Sequence, residues 1–386
     1  MKITGIQCKK IKFEHASPLP GIPAAFNATY GTIDEVVNVF VKVTTDDGTY
    51  GVGEAMNFSI KAPARRHLRP KETADTVVDV IDHILAPRLI GDDPLDVDKI
   101  HSKMESWLSG HRSAKAAMGT AVYDILGKFC KMPMYKCLGG AYRTEFPGLG
   151  GVPLGKPEDM ARTALTWIEN GWVGFQMKVG GSSPDPEMDL RRMKAVRDAV
   201  GSKPIILADF NQAYRPDAAI RLLRRAENYE IYAEQPTLAY DFDGMAKIAK
   251  SVNVPVVADE SVSYGQPIRS VIQLIKEGGA YAIKLKSMPL GGPHMQRRII
   301  DLAKEYELPI ITDADGPVSR VTDTELAHAT ATLNDDLFFP TLVGQTSMLL
   351  SPDIVKSGGL TAIKGRIRVP EDPGLGLEIA DSVFSN

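Results

Sequence analysis

The sequence predicts an α/β protein in which a (β/α)8 barrel of the TIM type carries an N-terminal α+β capping domain. Short apolar runs end in charged residues, and the step from Asp209 to Glu234, to Asp259 and to Lys284 is 25 residues each time. The segments between these runs have apolar residues at helical spacing. A strand, a helix and two loops fill about that length. Repeated units of this kind form a parallel barrel.

The beginning of the chain has a different pattern, which predicts the capping domain over residues 1–130. Residues 1–53 alternate apolar and polar side chains, and Asp47-Gly48 is a typical hairpin turn. Helical spacing then predicts helices over 72–90 and 114–130. The segment 17–32 is rich in Pro, Gly and Ala and predicts a flexible lid over the barrel, with Phe26 and Tyr30 as substrate contacts.

Residues 131–360 are expected to form the barrel, and 361–386 a turn-rich segment that returns to the capping domain. Runs such as PIILA and PVVA are too uniformly apolar for half-exposed strands. Lys178 ends the second strand, Asp209, Glu234 and Asp259 end the third to fifth, and Lys284 ends the sixth. Barrel active sites lie at the carboxyl ends of the strands. Two amines should therefore face each other there, with three carboxylates between them.

The composition favours a small-molecule partner. The chain has 386 residues, a formal net charge of −3 and 24% charged residues, which argues against nucleic acid. Three cysteines without metal-binding spacing indicate a reducing compartment. The N-terminal residues lack a signal-peptide core and no apolar run is long enough to span a bilayer, so we expect a cytoplasmic protein without a membrane partner. We also expect a homo-oligomer.

Three converging carboxylates indicate a metal site. Asp209, Glu234 and Asp259 would repel one another strongly without a cation between them, and oxygen ligands select a hard divalent ion such as Mg²⁺, although Mn²⁺ also fits. The alternative is that these acids pair with lysines or cap the following helices. Nothing in the sequence supports a nucleotide cofactor, since no glycine-rich phosphate loop follows a strand.

Lys178 and Lys284 are the candidate catalytic bases. Beside a cation and away from water, an amine is disfavoured in its charged form and its pKa falls. Lys286 lies two residues further along the same strand and is predicted to be exposed or next to the substrate rather than catalytic. The alternative for all three is a solvated charge at the barrel rim.

Further polar residues are candidates for supporting or substrate-binding roles. Asn211 shares a strand face with Asp209, and it and Glu260 are expected to support the metal ligands. Asp313 and Asp315 end the seventh strand, where they either contact the substrate or hold the turn at Gly316.

These motifs resemble the muconate lactonizing enzyme subgroup of the enolase superfamily. The resemblance covers nearly the whole chain, in YGVGEA, AKAAMGTAVYDILGK, LGG, QMKVG, ADFNQAY, AEQP, ADES, IKLKSMPLGG and DPGLGLEI. It implies a capped barrel, divalent metal bound by Asp209, Glu234 and Asp259, and Lys178 and Lys284 as acid and base. Superfamily sites of this kind use a lysine or histidine base with Mg²⁺ to stabilise an ene-diolate.

Two positions depart from the subgroup pattern. Gln176 replaces the first lysine of a Lys-x-Lys motif, so Lys178 lacks a neighbouring positive charge that would depress its pKa; we place Gln176 among the substrate-binding residues. Strand seven carries Asp313 and Asp315 where many members have a glutamate. The region around them is similar to hydroxyproline betaine epimerases and cis-3-hydroxyproline dehydratases.

The resemblance implies abstraction of the proton α to a carboxylate. Return of a proton from the opposite lysine would racemise or epimerise an amino-acid, proline or betaine derivative, which is the expected reaction. Loss of a β-leaving group would make the protein a dehydratase, and ring opening a cycloisomerase. A Schiff-base aldolase and a catalytically silent barrel are alternatives of other classes.

Overall fold

A computed structural model describes residues 1–24, 27–28, 31–61 and 72–385. Phe26 and Tyr30, the predicted lid contacts, lie outside the described residues. The capping domain consists of β1 (Ile3–His15), β2 (Asn27–Ala28), β3 (Gly31–Thr45), β4 (Tyr50–Ala55), β5 (Phe58–Lys61), α1 (Ala74–Val80), a π-helical stretch (Ile81–Leu85), α2 (Ala86–Leu89), α3 (Val97–Trp107), α4 (Arg112–Cys130) and α5 (Met134–Cys137). Its strands form an antiparallel sheet, as predicted for residues 1–53.

The β3–β4 hairpin packs directly on α4. Its turn lies at Asp47-Gly48, as predicted, and Gly48 has the positive φ of 85° that a side chain rarely adopts. A Cβ atom at Gly51 or at Gly53 would lie 2.0 Å from a backbone carbonyl oxygen of α4. The two glycines of YGVGEA therefore allow the helix to approach the strand backbone.

The barrel contains seven hydrogen-bonded parallel strands. They and their neighbours are β6 (Glu145–Pro147), β7 (Leu149–Val152), α6 (Pro157–Glu169), β8 (Gly174–Lys178), α7 (Pro186–Val200), β9 (Ile205–Asp209), α8 (Pro216–Ala226), β10 (Ile231–Glu234), α9 (Phe242–Ala249), β11 (Val256–Ala258), α10 (Glu260–Ser263), α11 (Pro267–Glu277), β12 (Ala282–Leu285), α12 (Pro293–Lys304), β13 (Ile310–Thr312) and α13 (Arg320–Ala331). The parallel sheet runs in the order β7-β8-β9-β10-β11-β12-β13. Five helices begin with proline, whose fixed φ suits the first helical turn.

The eighth strand is an extended segment rather than a regular strand. The backbone N–H of Ile310 donates to Leu337 O at 2.7 Å, and that of Leu149 donates to Thr341 O at 2.6 Å, so the segment joins β13 to β7. Pro340 lies within it and has no N–H to donate, which prevents a continuous ladder. The predicted (β/α)8 architecture is confirmed, with its last strand reduced to isolated bridges.

A layer of apolar side chains fills the barrel below its mouth. Leu149, Leu207, Val257 and Ile311 are buried together and come from the first, third, fifth and seventh strands. Alternate strands supply each such layer in barrels of this type. Side chains two residues apart in a strand point to the same face. The residue two positions after each of these therefore points into the barrel at its mouth.

The chain after the barrel contacts both other parts of the molecule. Its elements are β14 (Leu350–Ser351), β15 (Val355–Gly358), β16 (Thr361–Ile363), β17 (Arg366–Arg368) and β18 (Leu377–Ile379). β14 pairs with β1, and β17 pairs with β6. The backbone N–H of Leu375 donates to Asp124 of α4 at 2.8 Å. These contacts fit a segment that returns to the cap, while the boundaries at 130 and 360 stay a prediction.

The described part of the lid segment reaches the barrel. The N–H of Leu154, just after β7, donates to Asn27 O at 2.8 Å. Ile33, just after the segment, lines the cavity at the barrel mouth. Among the described residues, no helix is both long and apolar enough to cross a bilayer.

Candidate active site

The strand periodicity brings the predicted charged residues into the barrel mouth. Asp209, Asp259 and Asp313 each come two residues after an inward apolar residue of the layer described above. All three are buried, as are Glu234, Lys178 and Lys284. The alternative of lysines solvated at the rim is therefore wrong for Lys178 and Lys284.

The register of the sheet places three of these residues side by side. Lys178 pairs with Asp209 across β8 and β9, and Asp209 pairs with Glu234 across β9 and β10. Glu234 pairs with Val257, so Asp259 lies two residues further along. The equal spacing in sequence therefore does not place the acids at the same height in the barrel. Asp209 and Glu234 lie side by side at the strand ends, whereas Asp259 lies two residues further out, just after β11 at the start of α10.

A chain of polar contacts joins the two candidate bases. Lys178 Nζ donates to Asp209 Oδ2, and Gln176 Nε2 lies 3.1 Å from the same oxygen and 2.9 Å from both oxygens of Glu234. Lys284 Nζ is 3.4 Å from Glu234 Oε2 and donates to Asp313 Oδ2 at 3.0 Å. Gln176 therefore links two of the predicted metal ligands, a position that the sequence did not reveal.

Lys286 is a buried part of the site, so the predicted alternative of an exposed side chain is wrong, while the alternative of a position next to the substrate stays a prediction for a residue that lines the cavity at the barrel mouth. Its side chain is 2% exposed. Its Nζ lies 2.6 Å from Asp259 Oδ1 and 2.7 Å from Asp315 Oδ1. Asp315 adopts a positive φ of 75°, which turns the chain after β13 and brings its carboxylate to the lysine. That partner lies in the loop after the neighbouring strand β13, 29 residues away in sequence, which local spacing cannot show.

The residues that support the acids come from the loops after the strands. The backbone N–H of Asn211 donates to Asp209 Oδ1 at 2.9 Å, and its Nδ2 donates to Glu260 Oε1 at 3.1 Å. Gln235 Oε1 accepts the N–H of Asp259 at 3.0 Å. Sequence reasoning missed Gln235, although its place directly after Glu234 in AEQP was a usable signal.

The acids have strongly different proton affinities. Burial and the charge of Asp209 raise the pKa of Glu234 well above its usual range. Burial alone would raise the pKa of Asp209 too, but the ammonium group of Lys178 lowers it. Burial also acts to raise the pKa of Asp313. The positive charges of Lys284 and Lys286 outweigh it and lower this pKa to about 2. Glu234 is therefore the acid that gains most from a further positive charge nearby.

The pKa of Lys284 is raised by the acids around it, whereas the lowered value was predicted for a lysine beside a bound cation. Burial disfavours the ammonium form, but the carboxylates of Asp313, Glu234 and Asp259 stabilise it more. A cation held by Glu234 and Asp259 would offset the charge of those two acids and lower the pKa of Lys284 again.

The charge balance of the site tests whether a metal ion fits. The buried acids at the barrel mouth are Asp209, Glu234, Asp259, Glu260, Asp313 and Asp315, and the buried amines are Lys178, Lys284 and Lys286. The acids outnumber the amines, so a bound cation would offset part of the excess of carboxyl groups. In the described part of the chain no three acids are arranged ready to coordinate an ion. Lys178 and Gln176 Nε2 contact oxygens of Asp209 and Glu234, so an ion would have to displace these nitrogens. With that change, the oxygen donors suit a hard divalent cation.

A small cavity opens beside these residues. Its volume is about 40 Å³, and its walls include Gln176, Lys178, Asp313 and Asp315 from the barrel and Ile33 from the cap. With Asp259, which also lines it, five residues predicted to take part in the site contact this cavity.

Comparison with known proteins agrees with this architecture. Residues 13–139 match the mandelate racemase / muconate lactonizing enzyme N-terminal domain, and residues 159–383 match the enolase C-terminal domain-like family. The chain is 32% identical to an N-succinyl-L-Arg/Lys racemase of Bacillus cereus, covering 100% of this chain and 97% of that one. It is 30% identical to an L-Ala-D/L-Glu epimerase of Clostridium acetobutylicum, covering 92% and 94%.

Two further relatives extend the range of reactions. A cis-3-hydroxy-L-proline dehydratase of Roseibium aggregatum is 28% identical, covering 98% of this chain and 96% of that protein. A crystal structure of a dipeptide epimerase from Cytophaga hutchinsonii, complexed with Mg and the dipeptide D-Ala-L-Val, is similar with a TM-score of 0.87 and 26% identity, covering 99% of this chain and 97% of that one.

The chain belongs to the mandelate racemase and muconate lactonizing enzyme family of the enolase superfamily. It is an isomerase-type enzyme of that superfamily, as the motif resemblance implied.

Proposed function

We propose that this enzyme uses a divalent metal ion, Mg²⁺ in the first place with Mn²⁺ as a substitute, to remove the proton α to a carboxylate and to racemise or epimerise an amino-acid derivative. Lys178 and Lys284 act as the acid and the base, and Asp209, Glu234 and Asp259 hold the metal. A proline or betaine derivative is within the same substrate class.

The observation that carries the proposal is the pair of buried amines on the second and sixth strands with the acids between them. Strands two and six of an eight-stranded barrel lie on opposite sides, so the amines approach a substrate between them from two faces. Racemisation needs an acid and a base on opposite faces of one carbon.

The lysines move the proton. A neutral lysine amine takes the α-proton, and the electron pair of the broken C–H bond passes into the carboxylate to give an enediolate. The opposite ammonium group then donates a proton to the other face of the carbon. A bound divalent ion supplies the positive charge that stabilises the enediolate. Asp209, Glu234 and Asp259 would hold the metal, and bound substrate and metal would then replace part of the network in which Lys178 and Lys284 pair with acids.

The acids after strand seven are proposed to bind the substrate. Asp313 and Asp315 line the cavity together with Gln176. Each is ion-paired with a strand-six lysine, and each has a carboxylate oxygen able to accept a hydrogen bond from a substrate N–H group. Asn211 and Glu260 are proposed to hold Asp209 and the loop after β11 in place.

A dehydratase is the second candidate, and the relative that dehydrates cis-3-hydroxy-L-proline favours it. In that reaction one lysine amine takes the α-proton, and as the electron pair of the enediolate forms the new C=C bond the β-C–O bond breaks, with a lysine ammonium group donating a proton to the departing hydroxyl group so that it leaves as water. An aldolase would leave the three acids without a role and is tested by borohydride trapping with a carbonyl substrate.

Proton exchange in D₂O tests the proposal. N-acyl amino acids, dipeptides and proline betaines are incubated with the enzyme and Mg²⁺, and the α-proton signal is followed by NMR. We expect the signal to be lost without loss of any substituent, and EDTA to stop the exchange. A product that lacks the elements of water would support the dehydratase. Exchange that persists in metal-free enzyme would contradict the role of the metal.

Two wider expectations stay predictions of the same proposal. The homo-oligomer is tested by light scattering of the purified enzyme, and the cytoplasmic location by fractionation of cells.

A further inference from the structure

A second and larger cavity lies between the cap and the barrel, beside the candidate active site. Its volume is about 380 Å³. Its walls come from the cap and from the loops after strands five, six and seven, and they include Met56, Glu72, Ser109, His111, Arg112, Ser113, Ser263, Tyr264, Met288 and Asp315. Asp315 also lines the catalytic cavity. The two spaces are therefore neighbours that share a wall.

The catalytic cavity alone is too small for an extended substrate. Its volume of about 40 Å³ holds roughly three water-sized groups, at about 10–15 Å³ each. That is enough for a carboxylate and the reacting carbon. Sites for small organic ligands usually measure about 300–1,000 Å³, a range that includes the second cavity. A substituent on the reacting carbon or its nitrogen that extends past Asp315 would therefore enter the second cavity.

Glu72 gives the second cavity its chemical character. Its Oε2 accepts the backbone N–H of Ser113 at 2.7 Å. Its Oε1 is buried and, among the described residues, accepts no hydrogen bond, and Nδ1 of His111 lies 3.5 Å from it, which makes an ion pair only when the histidine is protonated. A buried carboxylate oxygen without a donor loses its hydration and gains nothing in return, which carries a cost in free energy. A ligand group with N–H donors would remove that cost.

Arg112, which also lines the cavity, makes its hydrogen bonds to backbone oxygens and not to Glu72. The guanidinium group of Arg112 donates to the carbonyl oxygens of Ser263 at 3.0 Å, Pro289 at 3.1 Å and Gly265. Arg112 therefore joins the cap to the barrel loops and directs its donors at backbone oxygens. Met56 and Met288 provide the apolar part of the wall, which suits an alkyl chain.

We infer that the second cavity binds the distal part of the substrate, and that Glu72 selects a substituent with an alkyl stem and a protonated amino group at its end. This inference rests on the proposed function, because it places the α-carbon of the same substrate between Lys178 and Lys284.

Two matched probes test the inference with the full-length enzyme and Mg²⁺. Nα-acetyl-L-lysine and Nα-acetyl-L-norleucine differ in the terminal ammonium group but share the acyl group and the alkyl chain. For each probe, kcat/KM of α-proton exchange in D₂O and the calorimetric Kd are measured. We expect the lysine probe to be preferred about 10-fold, equivalent to about 1.4 kcal/mol.

Variants assign the preference to the cavity. In Glu72→Gln the preference should fall to near unity in both measurements, whereas Glu158→Gln, the same change at an exposed acid of α6, should retain it. Met288→Trp reduces the space without changing charge. This variant should have a lower kcat/KM for Nα-acetyl-L-norleucine, by about 10-fold relative to its kcat/KM for the small probe Nα-acetyl-L-alanine.

The outcomes separate this inference from the proposed function. Selective binding of the lysine probe without proton exchange would support the cavity assignment and contradict the proposed reaction. Exchange of both probes at equal rates would support the reaction and overturn the role of Glu72. A preference that survives in Glu72→Gln, or binding of neither probe, would also overturn it.

Discussion

Replacement of Glu325 by glutamine should stabilise the protein in alkaline solution. Glu325 lies on α13 and is buried, and neither carboxylate oxygen has a hydrogen-bond partner of normal geometry among the described residues. Ser287 and Gln296 are close enough to lower its pKa, but burial has the larger effect and raises the pKa from 4.5 to about 7. Above pH 7 the folded protein therefore holds a buried charge that the unfolded chain exposes to water.

The size of the effect follows from the pKa difference. A difference of one in pKa between the folded and the unfolded state corresponds to about 1.4 kcal/mol. The rise from 4.5 to about 7 therefore means that ionised Glu325 lowers the free energy of unfolding by about 3 kcal/mol. Because the folded-state pKa is the higher one, the penalty is absent below pH 4.5, grows between pH 4.5 and 7 and is complete above pH 7. Glutamine fills nearly the same volume without a charge. The variant should therefore gain up to about 3 kcal/mol at pH 8.5 and nothing at pH 4.

Thermal unfolding across this pH range measures the effect. Wild type, Glu325→Gln and the exposed control Glu158→Gln are compared in EDTA, so that metal binding does not add to stability. The stabilisation by Glu325→Gln should increase with pH through the range 4.5–7, and the control should show no such trend. A stabilisation that is equal at pH 4 and pH 8.5, or a variant less stable at pH 8.5, would refute the reasoning.

Three further changes have expected outcomes. Glu54→Ala should cost at least about 1–3 kcal/mol of unfolding free energy, measured by denaturant titration, because the buried donors of Asn38, Ser319 and Thr322 across the cap and barrel would lose their acceptor; a loss below about 1 kcal/mol would contradict this role. Glu234→Gln should weaken Mg²⁺ binding at least about 10-fold in calorimetry, and unchanged affinity would remove Glu234 from the metal ligands. Gly53→Ala should lower the melting temperature, since the new Cβ would lie 2.0 Å from Ala117 O; an unchanged melting temperature would show that α4 moves freely.

Local pattern was sufficient to predict the barrel and the positions of the charged strand ends. A buried parallel strand has a recognisable composition, and its side-chain alternation fixes which end residue faces inward. Asp209 and Lys284 could therefore be placed from their own strands.

The missed features depend on partners from distant parts of the chain. The buried Lys286 is paired with Asp259 and Asp315, which follow the two neighbouring strands of the sheet. Gln176 bridges Asp209 and Glu234 only once three strands lie side by side. The raised pKa of Lys284 comes from three acids on three different strands, and their summed charge cannot be read from spacing.

The measurement that tests the central claim most directly is α-proton exchange in D₂O by Lys178→Ala and Lys284→Ala, with each enantiomer of a turned-over substrate supplied separately. If the two lysines act on opposite faces, one variant should lose exchange from one enantiomer and retain some from the other, the second variant should show the reverse, and neither should interconvert the enantiomers. Loss of exchange from the same enantiomer in both variants would contradict the two-base mechanism.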